Sequence, residues 1–131
     1  MRKRKFLQSV LAALTAAAAV RPAAAQPKAV RLVIVQTSPV AGFHYHAGES
    51  VWSRLRVGDR LDLHREPDNT HDERAVRVEW NREKLGYVPR AENVAVSQML
   101  DRGGALHARV TALVESRDPW ERVELEVVLE V

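Results

Sequence analysis

From residue 30 onward the chain is a series of short segments in which apolar and polar residues alternate, separated by Gly, Pro, Asn and Asp. Alternation puts successive side chains on opposite faces, so such segments predict half-buried β-strands. Val30-Arg-Leu-Val-Ile-Val35 is β-branched and predicts a first strand, stopped by Ser38-Pro39. Leu61 and Leu63 mark a strand over 60–65, and Val76 and Val78 one over 75–80. A fourth follows over 84–88, with Asn81-Arg82-Glu83 as the tight hairpin between. Two more strands are predicted over 106–115 and 121–131, with Asp118-Pro119 in the turn. Val123, Leu125 and Val127 point inward there, and Glu124 and Glu126 outward. Val94, Val96, Met99 and Leu100 recur at helical spacing and predict a helix over 91–101, ended by Gly103-Gly104. Trp52 and Leu55 would share one face of a single helical turn. Phe43-His-Tyr-His46, bracketed by Gly42 and Gly48, reads as a short strand or an extended loop. Trp52, Trp80 and Trp120 are expected in the core or at its edge. Six short strands with one or two short helices in 131 residues predict a mainly β fold, a small open β-barrel of the OB or SH3-like kind.

The first 25 residues follow another pattern. Arg2-Lys-Arg-Lys5 is basic, the run to Val20 is apolar except for Gln8, Ser9 and Thr15, and Ala23-Ala-Ala25 precedes Gln26. That order of basic, apolar and small residues is expected of a secretory signal peptide. The apolar run is shorter than the roughly 20 residues a membrane span needs. The expected organisation is a leader over 1–25 and one domain over 26–131, exported to the periplasm or secreted, monomeric, with no membrane span after processing. Lys3-Arg4-Lys5-Phe6-Leu7 is similar to a twin-arginine signal but lacks a strict Arg pair, so the export route stays open. The chain has no Cys, which excludes disulfides and a lipidated cysteine anchor.

The leader also carries the charge. The whole chain is +3, but residues 26–131 hold 15 basic and 17 acidic residues, a net −2. A general basic footprint for nucleic acid is therefore excluded for that segment, and any such contact must come from a local patch. No Ser or Cys sits in a nucleophile elbow. There is no phosphate-cradling loop and no His-Glu-x-x-His motif. A non-catalytic protein is expected.

The densest chemistry lies in Leu61-Asp-Leu-His-Arg-Glu-Pro-Asp-Asn-Thr-His-Asp-Glu-Arg-Ala-Val-Arg-Val78 and Lys84-Leu-Gly-Tyr-Val-Pro-Arg90. Pro67, Asp68, Asn69 and Asp72 break the ladder between two strands. Asp68, Asn69 and Asp72 either cap the turn through their side chains or present acceptors to a ligand. A Gly with paired aromatics precedes this block, then Gly58-Asp59. This ordered set, from about residue 40 to 103, closely resembles the HIRAN family. Its members are small β-barrels, found fused to chromatin-remodelling helicases and as stand-alone bacterial proteins. The resemblance implies binding of the free 3′ end of single-stranded DNA. It implies no helicase chemistry, which belongs to attached domains.

Residue by residue, the resemblance makes Tyr45 a stacking aromatic and puts His44 where the family has a basic neighbour, with His46 following. Asn69 takes the position that contacts the terminal nucleotide, and Asp72 that of the carboxylate accepting from the 3′-hydroxyl. His71 stands in place of a second stacking aromatic. Tyr87 falls on a polar ring near the phosphate and Arg90 on a nearby basic residue. The physics is consistent with that assignment. A stacked base is worth roughly 1–3 kcal/mol. A carboxylate accepts from a terminal hydroxyl and repels a phosphate, which gives end specificity. Arg90 would neutralise phosphate; Arg65 would either do the same or pair with a neighbouring carboxylate. Tyr45 is either such a platform or a core or rim aromatic. Two other readings start from the same residues. One is an envelope module that binds a protein, peptide or glycan, with the loop purely structural. The other is a zinc or copper site formed by His44, His46 and His71, since His44 and His46 share one face if that segment is a strand. Without that site, no cofactor is expected.

Overall fold

A computed structural model describes residues 29–131. The leader expected over 1–25 lies outside the described residues. Six strands form one sheet: β1 (Leu32–Pro39), β2 (Arg60–Glu66), β3 (Ala75–Trp80), β4 (Glu83–Tyr87), β5 (Leu106–Leu113) and β6 (Val123–Glu130). Their order is β1-β6-β5-β2-β3-β4, and every pair is antiparallel. Two short helices, α1 (Gly48–Val51) and α2 (Val94–Asp101), cross between strands. No helix among the described residues is long and apolar enough to cross a membrane.

The predicted alternation places the core. Leu61 and Leu63 of β2, Val76, Val78 and Trp80 of β3, and Val123, Leu125 and Val127 of β6 point inward and are buried. Phe43 and Leu55, from the segment between β1 and β2, are buried in the same core. Burying each of these larger side chains is worth about 1.5–3 kcal/mol relative to exposure. Trp80 packs inward while its indole N–H donates to Asp59 Oδ2 at 3.0 Å.

The two ends of the strand order meet. Just past β1, the Ala41 N–H donates to the Tyr87 carbonyl at 2.8 Å, and the Tyr87 N–H donates back to Ala41 at 2.9 Å. This single two-bond bridge curls the sheet into a partly open barrel and leaves a narrow seam between the segment after β1 and β4. Gly86 makes the seam possible. Any Cβ there would collide with the Ala41 carbonyl oxygen, and φ is +153°.

Several boundaries differ from the sequence reading. β1 runs through Pro39, which pairs with Glu124; an edge strand tolerates a residue without an N–H. Leu32, Val33 and Ile34 of β1 are exposed on that edge, not buried. The expected helix over 91–101 divides into a 3₁₀ turn (Arg90–Glu92) and α2, because Asn93 leaves helical geometry. Phe43–Tyr45 is neither strand nor extended loop but a 3₁₀ turn, entered through Gly42 at φ +74°. Trp120 is half exposed.

Candidate nucleic-acid interface

The loop between β2 and β3 is built from its own side chains. Asn69 Oδ1 accepts from the backbone N–H of His71 at 2.8 Å and of Asp72 at 3.1 Å. Asp72 Oδ1 accepts from the Arg74 N–H at 2.9 Å. Both residues therefore cap the turn as their types lead one to expect. Two residues that the sequence did not single out hold the loop against the barrel. The first is Glu66, at the end of β2. Its Oε1 accepts from Asn69 Nδ2 at 3.0 Å and from the Tyr87 hydroxyl at 2.8 Å, and its Oε2 from Arg77 at 2.6 Å. Burial works against the charge on Glu66, but these three donors and nearby Lys84 outweigh it and hold the carboxyl at about 2. The second is Asn93, fully buried, whose Nδ2 donates to Asp72 Oδ2 at 2.7 Å.

The consequence for Asp72 is specific. Burial opposes its ionisation, yet the Arg74 N–H, the Asn93 amide and the charges of Arg90 and Arg74 hold its pKa below the usual carboxylate range. Each oxygen already takes one donor, and a carboxylate oxygen accepts two. Asp72 thus stays charged with acceptor capacity to spare. Asn69 differs: its amide oxygen is already filled by two backbone donors, and one N–H remains.

A cleft of about 530 Å³ opens on the outer face of the barrel along the seam. Tyr45 and His46 from the turn after β1 and Asn69, His71 and Asp72 from the β2–β3 loop line it. Tyr87 and Arg90 line it too, together with the apolar Ala41, Ala75 and Val88. Seven of the eight candidate residues, separated by up to 45 positions in the chain, therefore line one cleft. His44 does not; its exposed ring stacks against Tyr45, centroids 3.9 Å apart. Tyr45 is 76% exposed, so it is not a core residue. Its ring is exposed at the cleft. His46 packs edge-on to Tyr87, and burial together with the Lys84 charge lowers its pKa, with Glu66 opposing. Its ring is thus neutral at neutral pH.

Two further readings are decided: Arg65 pairs with a carboxylate, as one of its two readings held, and the premise of the metal site fails. Arg65 does not reach the cleft: it forms a two-pronged pair with Asp101 of α2, at 2.8 and 3.3 Å, and donates to the Ala75 carbonyl. The premise of the metal reading, that His44 and His46 share a strand face, fails because the segment is a 3₁₀ turn. Among the described residues no three His, Asp or Glu side chains are gathered as metal ligands, so the His44, His46 and His71 set is not assembled.

The sequence model of the HIRAN domain matches residues 33–131. The chain belongs to the HIRAN family. A crystal structure of a protein from Lactobacillus plantarum, solved by a structural genomics consortium, is 30% identical with a TM-score of 0.67; the match covers 78% of this chain and 98% of that one. The HIRAN domain of human HLTF matches with a TM-score of 0.59 at 17% identity, over 76% of this chain and 78% of that one. The second likeness is one of fold. No curated protein matches the chain. The HIRAN match extends to β5 and β6, beyond the segment from about 40 to 103 whose motifs carried the resemblance.

Proposed function

We propose that this HIRAN protein is a non-catalytic module that takes the free 3′ end of a single nucleic-acid strand into the seam cleft. The observation that carries this reading is the convergence of Tyr45, Asn69, His71, Asp72, Tyr87 and Arg90 on one cleft. Tyr45 supplies an exposed face for a base, and His71, lining the same cleft, a second and weaker one. Asp72 accepts from the terminal hydroxyl with its spare acceptor sites and repels a terminal phosphate. Asn69 orients the loop more than it reads the strand, since its oxygen is spent on backbone. We place this activity outside the cytoplasm, on the strength of the leader pattern in residues 1–25.

Tyr45 gives a clean test, because its exposed ring contributes little to folding. Tyr45→Ala should weaken binding of a short single-stranded oligonucleotide by the worth of one stacked base, about 1–3 kcal/mol, with the melting temperature unchanged. Affinity indifferent to this substitution, measured by fluorescence anisotropy, would contradict the reading.

A further inference from the structure

Lys84 sits in the cleft although the resemblance assigns it no site role. β3 and β4 pair with a register shift at Leu85: Tyr87 faces Arg77, and Lys84 faces Glu79. Arg77 and Glu79 lie on the same face of β3, so the bulge turns Lys84 and Tyr87 to the same outer face despite their odd spacing. The Lys84 ammonium stands over the Tyr87 ring, 4.6 Å from its centroid. Among the described residues no carboxylate pairs with it. The acid beside it, Glu66, is already committed to Asn69, Tyr87 and Arg77.

We infer that Lys84 is a phosphate-binding residue of this cleft, taking over the role that a basic residue at position 44 would have had. The inference rests on the end-binding reading above and adds the residue that recognises the strand's backbone. Arg90 lies by Asp72, and Lys84 by His46 and Tyr87, so the two cations stand beside different parts of the cleft. A strand lying along it meets a positive charge in each. His44 contributes no such charge there, because its ring rests on Tyr45 outside the cleft lining. The neutral state of His46 leaves Lys84 as the charge carrier on that side. Held over an aromatic face without a carboxylate partner, the ammonium stays available to a phosphodiester oxygen.

The test is a salt titration of the full-length protein with a fluorescent oligothymidylate bearing a free 3′-hydroxyl, comparing the wild type with Lys84→Ala, Lys84→Arg and Tyr45→Ala. Each phosphate contact contributes about 0.7 to the slope of log affinity against log salt for single strands. Lys84→Ala should lower the slope by about that amount and bind roughly five- to ten-fold more weakly at about 50 mM salt. Lys84→Arg should restore both. If Lys84→Ala matches the wild type in slope and affinity while Tyr45→Ala binds more weakly, the role of Lys84 is refuted and strand binding stands. If the wild type does not bind at all, the strand-binding reading is refuted and this inference falls with it.

Discussion

Glu66 shows how one side chain sets the geometry of the cleft. It fixes the Asn69 amide, and with it the loop that carries His71 and Asp72, and it holds the Tyr87 hydroxyl. Its carboxyl lies at about 2 in the folded chain against an ordinary 4.5. A depressed carboxylate stabilises the fold fully above its ordinary value and loses that contribution as pH falls through the folded one. The protein should therefore lose stability as pH falls from about 4.5 to about 2. Glu66→Gln should flatten that acid loss and cost about 1–2 kcal/mol at neutral pH, since a charge-assisted network becomes a neutral one. Urea melts of both proteins across that pH range decide it. At this scale the sequence was informative about turn chemistry and less so about division of labour. Asn69 and Asp72 announce themselves by type and spacing. Whether their oxygens are spent on backbone or free for a ligand depends on Glu66 and Asn93. These meet the loop only after folding, 21 residues from Asp72 in the case of Asn93.

At the scale of elements, the inward faces of β2, β3 and β6 were legible because they alternate without interruption. The errors fall where the period breaks. The bulge in β4 put Lys84 on the cleft face together with Tyr87, where strict alternation would have placed the two on opposite faces. The 3₁₀ turn over Phe43–Tyr45 mimics a strand in sequence, since one buried and several exposed ring residues fit either geometry. The β3–β4 hairpin offers an independent check. Asn81 and Arg82 both have positive φ, 46° and 70°, as a two-residue turn matching strand twist requires. Asn tolerates that conformation, but Arg does not favour it. Arg82→Gly should raise stability by about 0.5–1 kcal/mol, visible as a higher melting temperature, with no effect on ligand affinity because Arg82 does not line the cleft.

For the whole molecule, fold and family follow from the same residues, and the site follows from how the barrel closes. The sheet ends meet through one bridge, Ala41 to Tyr87, and both residues line the cleft. Closure brings the segment after β1 beside β4, and Tyr45 and Asp72 line the same cleft. The barrel class was readable from strand count and turn spacing. The seam was not, because it depends on Gly86 letting two backbones touch. Net charge is also best judged at this scale. With residues 26–131 at −2, the proposed strand binding would rest on the local cations of the cleft and not on a general field. The most direct test of end recognition is to titrate the protein, at low and moderate salt, with two otherwise identical single-stranded DNAs, one ending in a 3′-hydroxyl and one in a 3′-phosphate. End recognition by Asp72 predicts clearly tighter binding of the hydroxyl end, about ten-fold or more, from repulsion between Asp72 and the added phosphate. Equal affinity for the two ends, or no binding at low salt, would contradict it.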